Sequence, residues 1–175
     1  MQEYAFDEAV QGVDAILHIS SPVREEPGDP KNIIEPAIAG TVAILESTLR
    51  HGTSVKRVVI TSSCGAVYTV KPGEFLVFDE SHWNDLAVKL VEEQGAEATG
   101  LDKYRASKVL AERAAWAFME DHKAEVKFDM ATICPPGVFG PTLRFDSPAD
   151  FSGSMQIWWA VVKGQQPSPM MRVFG

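Results

Sequence analysis

Tyr104 and Lys108 lie four residues apart in the stretch GLDKYRASKVLAER, which is rich in strong helix-forming residues. Residues at positions i and i+4 of a helix share one face, so this pair would present a phenol and an ammonium side by side. A free phenol has a pKa of about 10 and transfers protons poorly at neutral pH, whereas a nearby positive charge favours its ionised form. The pair could therefore move a proton to or from a carbonyl or alcohol oxygen.

The hydroxyl of Ser63 is a third group that could take part in carbonyl chemistry. It ends the stretch VKRVVITSS, a short β-branched run of the kind that forms a buried strand. A hydroxyl fixed at the end of that strand could hold a carbonyl oxygen. Each signal is weak alone, because Tyr-x-x-x-Lys arises by chance in roughly a third of chains of this length and hydroxyls at strand ends mostly serve turns. Their order along the chain makes the joint prediction stronger.

The elements that must position these groups alternate between strands and helices. We predict strands over residues 13–20, 55–63 and 126–134, and long helices over residues 29–52 and about 102–122. The long loop between residues 64 and 100 is expected to carry one short helix. This order predicts an α/β fold with a parallel sheet flanked by helices. The carboxyl ends of all the strands would then meet at one edge of the sheet, where ligands bind in such folds.

Two finer predictions concern burial. The first strand, VDAILHIS, is a continuous apolar run, which indicates burial on both of its faces. The first long helix is expected to have Asp29 or Asn32 as its cap. Its buried stripe is predicted to be Ile34, Ile38, Val42, Leu45 and Leu49.

Composition and charge exclude several classes of protein. The chain has 175 residues, 45% of them hydrophobic and 23% charged, which is typical of a globular domain. Its 16 basic and 24 acidic side chains give a net charge of −8 without a basic cluster, which argues against a nucleic-acid partner. The sequence has neither a signal-peptide pattern nor an apolar stretch of membrane-spanning length, and its two cysteines do not resemble a disulfide framework. We therefore expect a cytoplasmic protein with no membrane partner.

Five motifs together identify a resemblance to a known family: HISSP, RVVITSSCGAVY, FDESHW, KYRASKVLAERAAW and CPPGVFGP. They resemble the extended short-chain dehydrogenase/reductases of the NAD-dependent epimerase/dehydratase superfamily. Within these, the sequence is most similar to the dihydroflavonol reductase-like branch, which includes fungal methylglyoxal, aldehyde and ketone reductases. The likeness spans about residues 5–142. It implies a Rossmann-like fold and an NAD(P)-dependent oxidoreductase that interconverts a carbonyl and an alcohol of a small molecule.

The resemblance also implies a role for individual residues. Ser63 would orient the substrate carbonyl, Tyr104 would donate or accept the proton, and Lys108 would lower the pKa of Tyr104 and hold the nicotinamide ribose. The cofactor would be NADP or NAD, and it would supply the hydride. The resemblance implies that Tyr104 and Lys108 contact the cofactor and that the backbone around Ile19, Ser20 and Ser21 lies near its adenosine and phosphate portion. The residues implied to contact its nicotinamide end are Pro135, Pro136, Gly137 and Val138.

The sequence departs from the family at both ends. The family begins with a strand, a glycine-rich turn and a helix that hold the cofactor pyrophosphate, but no G-x-G-x-x-G or G-x-x-G-x-x-G occurs here. We therefore expect a chain truncated at both ends. Residues 1–141 would form an incomplete dinucleotide-binding domain that lacks the first βαβ unit, and residues 142–175 would start the substrate-binding region. Such a chain should expose a sheet edge and apolar faces that other elements normally cover.

Two alternatives to a reductase stay open at this point. The same Tyr-x-x-x-Lys motif serves nucleotide-sugar epimerases and dehydratases, although nothing basic in residues 142–175 suggests a nucleotide diphosphate site. A noncatalytic remnant that acts only by association is the other alternative.

The remaining reactive or aromatic residues have ordinary explanations. We expect His18 to be structural, no metal site, and Cys64 and Cys134 to act as small hydrophobic residues. The three tryptophans outside the motif helix are expected to pack in the core or line a pocket, and they are Trp83, Trp158 and Trp159.

Overall fold

The computed structural model describes residues 5–23, 28–69, 76–140, 147, 151 and 153–165. The strands are β1 (Ala15–His18), β2 (Arg57–Thr61) and β3 (Asp129–Ile133). The α-helices are α1 (Lys31–His51), α2 (Asp85–Gln94), α3 (Gly100–Asp121) and α4 (Ser154–Val162). Two 3-10 turns cover Cys64–Ala66 and Gly95–Glu97. The predicted alternation of strands and helices is confirmed, including the short helix in the long loop, and α4 occupies the apolar stretch of the tail.

The three strands form one parallel sheet in the order β1-β2-β3. Ile16 pairs with Val58, and Val58 pairs with Met130, so equivalent positions line up across the sheet. The helix α1 connects β1 to β2, while α2 and α3 connect β2 to β3. This is the α/β arrangement that the sequence predicts, and it brings the carboxyl ends of the strands to one edge.

One face of the sheet packs against α1 and α3 through a shared apolar cluster, and the two helices also pack against each other. Val58 and Ile60 of β2 are buried on this face together with Ile44 and Leu45 of α1 and with Phe118 of α3. These side chains belong to one apolar cluster, and burying such side chains supplies most of the favourable free energy of folding. The cluster fixes α3, the helix that carries Tyr104 and Lys108, against the sheet.

The opposite face of the sheet is exposed, which corrects one expectation. Side chains alternate between the faces of a strand, so Leu17 and Ile133 point away from the helices. Leu17 is 69% exposed and Ile133 is 53% exposed. The prediction that the first strand is buried on both faces is therefore wrong, because burial needs a second layer as well as an apolar sequence. The expectation of an exposed apolar face is confirmed, and among the described residues β1 pairs only with β2, which leaves its other edge uncovered.

The buried stripe of α1 begins one residue earlier than predicted. Leu45 is buried as expected, and Ile34, Val42 and Leu49 are half-buried against the apolar clusters. The fully buried positions include Ile33, Ala37 and Thr41 instead. Small side chains allow α1 to lie close to its neighbours, a factor that a count of apolar residues misses. Pro30 occupies the position before the first helical residue, and the Asp29 carboxylate accepts a hydrogen bond from the Lys31 backbone N–H at 2.9 Å. Asp29 thus takes part in the start of the helix.

The chain divides into two compact units, residues 1–135 and 136–175. In the second unit, the described part includes residues 136–140 and α4. The Ser154 hydroxyl donates a hydrogen bond to the Val138 carbonyl, and the rings of Phe151 and Trp159 meet edge to face at 5.9 Å between centroids. These contacts hold the start of α4 and its aromatic side chains within that unit.

Candidate active site

Ser63 lies at the end of β2, in the turn that leads into Cys64–Ala66. Its side chain is buried, and its Oγ accepts a hydrogen bond from the Gly65 backbone N–H at 3.1 Å. The turn continues the pairing with β3, because the Ser62 N–H donates to the Ile133 carbonyl at 2.8 Å and the Cys64 N–H to the Pro135 carbonyl at 3.0 Å. Because the Ser63 hydroxyl accepts from Gly65 through its oxygen, its own O–H group is left to donate a hydrogen bond to a carbonyl oxygen.

Asn84 stabilises this turn from the far side and was missed by the sequence analysis. Its Nδ2 donates to the Gly65 carbonyl at 3.0 Å, and its backbone N–H donates to the Ala66 carbonyl at 2.8 Å. Its Oδ1 accepts from the Ala87 N–H at 3.2 Å, which caps α2. An asparagine immediately before a helical pattern is an N-cap signal, so its capping role could have been predicted. Its link to the Ser63 turn could not.

Tyr104 and Lys108 lie on the same side of α3, as the i, i+4 spacing requires. The Lys108 Nζ is 5.8 Å from the centroid of the Tyr104 ring. The helix begins one turn before Tyr104, where the Thr99 hydroxyl accepts from the Asp102 N–H at 3.1 Å and caps the helix. The predicted pairing of a phenol with a nearby ammonium is therefore present in the structure.

The Tyr104 turn of α3 packs on the Ser63 turn through their neighbours. A Cβ placed on Gly65 would be 3.3 Å from the Cγ of Arg105, so the Arg105 side chain lies directly on this glycine. The Arg105 Nη2 also donates to the Tyr68 hydroxyl at 3.0 Å. A glycine at position 65 allows this close approach, and it sets the segments that carry Ser63 and Tyr104 side by side.

The Lys108 side chain reaches a small cavity at the carboxyl ends of β1 and β2. We call it the Lys108 cavity; its volume is about 10 Å³, and its lining includes His18, Ser20, Ser21, Ser62, Lys108 and Glu112. Three of the residues implied to bind cofactor, Ser20, Ser21 and Lys108, thus meet at one place. Ile19 is exposed, and it does not line this cavity.

Burial shapes the charge of the groups around this cavity. Burial lowers the pKa of Lys108, and negative charge on Cys134 or Glu112 would oppose that effect. Burial also lowers the pKa of His18, and the positive charge of Lys108 lowers it further. A neutral His18, packed edge to face on Phe6 with ring centroids 6.3 Å apart, agrees with the structural role expected for it.

A larger cleft of about 630 Å³ lies on the other side of Glu112. We call it the Trp83 cleft; its lining includes Cys64, Tyr68, Trp83, Glu112, Trp116 and Cys134. Trp83 stacks under Arg113, whose guanidinium carbon is 4.8 Å from the ring centroid. Burial raises the pKa of both thiols, which keeps them protonated at neutral pH and supports the prediction that they are not nucleophiles.

Pro135 is the last residue of the first unit, and its carbonyl accepts from the Ser63 turn. Pro136, Gly137 and Val138 belong to the second unit, and all three are exposed. Their contact with a cofactor stays a prediction. In the part of the chain that the structure describes, no three or more acidic, histidine or cysteine side chains gather as a metal site would need. None of the helices described there has the length and apolar character needed to cross a bilayer.

Comparison with known proteins gives one family for most of this chain. Residues 1–151 match the 3-beta hydroxysteroid dehydrogenase/isomerase family. The chain is 41% identical over 144 residues to a ketoreductase, azaE, of Aspergillus niger, an alignment that covers 80% of this chain and 40% of the relative. It is likewise 41% identical over 144 residues to a dihydroflavonol 4-reductase of Callistephus chinensis, which covers 82% of this chain and 36% of the relative.

The fold also matches a solved structure, the yeast methylglyoxal/isovaleraldehyde reductase Gre2 complexed with NADPH. That match has a TM-score of 0.71 and 32% sequence identity, and it covers 82% of this chain and 43% of Gre2. The resemblance predicted from the five motifs is therefore confirmed, and so is the Rossmann-like fold. The chain spans less than half the length of each of these three proteins.

Proposed function

Because the chain belongs to the 3-beta hydroxysteroid dehydrogenase/isomerase family, we propose that it reduces an aldehyde or ketone to an alcohol with NADPH as the reductant. Ser63, Tyr104 and Lys108 are its catalytic residues in this proposal. The observation that carries it is the position of the Lys108 ammonium, buried 5.8 Å from the Tyr104 ring and lining one cavity with Ser20 and Ser21. The names of the three relatives, all reductases, support the same reaction class.

The residues that line the Lys108 cavity fit hydroxyl groups of the cofactor. Lys108, Ser20 and Ser21 are hydrogen-bond donors that line one cavity, and none of the ion pairs among the described residues uses the Lys108 ammonium. The cavity volume of about 10 Å³ is close to that of one water, so it would hold a single sugar hydroxyl. The pyrophosphate end has no counterpart here, since the sequence contains no glycine-rich motif.

Each catalytic residue would act at one atom of the substrate carbonyl. Ser63 donates a hydrogen bond to the carbonyl oxygen while its own oxygen accepts from Gly65. NADPH, when bound, would supply the hydride that the carbonyl carbon accepts. Tyr104 donates its phenolic proton to the oxygen, which becomes the alcohol, and the phenolate left behind is reprotonated from solvent. The positive charge of Lys108 stabilises that phenolate, so it lowers the barrier to proton transfer.

The proposal is tested by mixing the purified chain with NADPH and either methylglyoxal or an aromatic aldehyde. Loss of reduced-nicotinamide absorbance with one alcohol formed per NADPH is the expected result. An epimerase or dehydratase would convert a nucleotide sugar without net consumption of NADPH. A noncatalytic remnant would not bind the dinucleotide in a fluorescence titration, and that outcome would overturn the proposal for this chain.

A further inference from the structure

We propose that Glu112 is a positioning residue whose buried carboxylate keeps Lys108 in its ammonium form beside Tyr104. This inference rests on the proposed function, in which the charge of Lys108 stabilises the Tyr104 phenolate. Glu112 lies one helical turn after Lys108 on α3, so the two side chains share a face of the helix.

The burial of both side chains is the first observation behind this proposal. Lys108 is 6% exposed and Glu112 is 7% exposed, and both line the Lys108 cavity. Lysine and glutamate are almost never buried to this extent unless an opposite charge or a functional need retains them. A buried ammonium without a counter-charge tends to lose its proton, because a low-dielectric environment disfavours the charged form. A neutral amine could no longer stabilise a phenolate.

Among the described residues, the other titratable groups around Lys108 do not supply a negative charge. His18 faces the cavity from β1, and burial and the charge of Lys108 lower its pKa, so it is neutral at pH 7. Cys134 follows β3, and burial and the charge of Glu112 raise its pKa, so it is a neutral thiol. Tyr104 precedes Lys108 by one turn and is the group on which Lys108 acts. Glu112 is therefore the carboxylate that compensates the ammonium.

A contact on the far side of Glu112 fixes its position. The Cys134 Sγ donates a hydrogen bond to the Glu112 Oε2 at 3.7 Å. Glu112 also lines the Trp83 cleft, so its carboxylate lies between that cleft and the Lys108 cavity. This contact joins the Glu112 carboxylate to Cys134, the residue after β3. The region between Glu112 and Lys108 is poorly hydrated, so the two charges can interact across it.

The test measures the ionisation of Lys108 directly in the chain without cofactor. Lysine labelled with ¹³C at Cε is incorporated, and the Lys108 resonance is assigned by its loss in Lys108→Arg. In Glu112→Gln, the titration midpoint of Lys108 is expected to fall by about one pH unit relative to the parent chain. Glu112→Asp keeps the charge and should retain most of the parent midpoint. Glu120→Gln, at an exposed position of the same helix, should leave it unchanged.

A Lys108 midpoint in folded Glu112→Gln equal to that of the parent would overturn the proposal. Should Glu112→Gln fail to fold, a midpoint in Glu112→Asp as low as that expected for the neutral variant would do the same. Where the chain turns over NADPH, Glu112→Gln should also shift the pH profile of kcat/KM while leaving KM for the aldehyde unchanged. If no variant or parent shows turnover, the proposed function fails, whereas the resonance of Lys108 still decides the role of Glu112.

Discussion

The two parts of α3 bury different kinds of side chain, although they belong to one continuous helix. Up to Glu112, α3 buries polar and charged side chains (Lys103, Ser107, Lys108 and Glu112) as well as apolar ones (Ala106, Val109 and Ala111), whereas after it only Ala115 and Phe118 are buried. Apolar burial stabilises the fold directly, whereas a buried charge must be compensated by partners. The free-energy cost of burying polar side chains in the first part is explained if some of them take part in catalysis. The comparison predicts that substitutions in the first part affect activity, and those in the second part affect stability.

Tyr104→Phe should show the largest effect and only on activity. It removes the proton donor, and the loss of a general acid costs about 10²- to 10⁴-fold in rate. The ring stays, so the melting temperature and the affinity for NADPH should be close to those of the parent. Steady-state kinetics and dinucleotide titration measure both. Tyr68→Phe is the matched control, because its hydroxyl bonds to Arg105 and has no role in the proposed reaction; comparable turnover in Tyr104→Phe would contradict the assignment.

Phe118→Ala should show the reverse pattern. Phe118 is buried in the main apolar cluster and packs against the His122 ring, with centroids 4.5 Å apart. Truncating a buried phenylalanine leaves a cavity and costs about 3–5 kcal/mol of unfolding free energy. Urea denaturation measures this loss, and turnover per folded molecule should stay near the parent value. Trp116→Ala, at an exposed position two residues earlier, is the control and should cost much less.

Asn84→Ala lies between these extremes, because Asn84 caps α2 and stabilises the turn that carries Ser63. Its side chain takes part in three hydrogen bonds, with Gly65, Thr69 and Ala87, and its backbone N–H donates to the Ala66 carbonyl. The variant loses the cap of α2 and leaves the buried Gly65 carbonyl without its donor, which should lower the unfolding free energy by about 2 kcal/mol. Turnover should fall as well, since the Ser63 hydroxyl loses its fixed position. Urea denaturation measures the stability, and steady-state kinetics measure kcat. A loss of stability without any change in kcat would mean that Asn84 caps α2 but does not position Ser63.

The contrast along α3 was only partly predictable from the sequence. The helix itself, its parallel-sheet context and the i, i+4 placement of Tyr104 and Lys108 follow from helix propensity and period. Glu112 was missed because a charged residue in a helix rich in Lys, Arg and Glu is ordinarily on the surface. Burial of Leu17 was predicted wrongly for a related reason, since burial depends on which layer covers a residue. That information lies in tertiary packing and not in the local pattern.

The double variant Lys108→Met/Glu112→Met sharpens the comparison with the smallest stability effect and the opposite sign. Activity should be lost, but replacing both buried charges by apolar side chains of similar length should raise the unfolding free energy by about 1 kcal/mol. The ordinary pKa of a lysine is 10.5, and burial lowers that of Lys108 in the folded chain. At a pH between the folded and the unfolded pKa of Lys108, the unfolded chain binds more protons than the folded chain. The loss of unfolding free energy caused by the buried charge is therefore complete at neutral pH, and it disappears as the pH rises toward the unfolded pKa.

The stability gain of the double variant should therefore be present at pH 7 and shrink in alkaline solution. Urea denaturation of parent and variant over that range measures it. Lys89→Met, at an exposed position of α2, is the control and should show no pH-dependent gain. A double variant that is less stable than the parent at neutral pH would mean that the buried charges of Lys108 and Glu112 contribute to the fold itself. The division of α3 into a part for chemistry and a part for stability would then have to be given up.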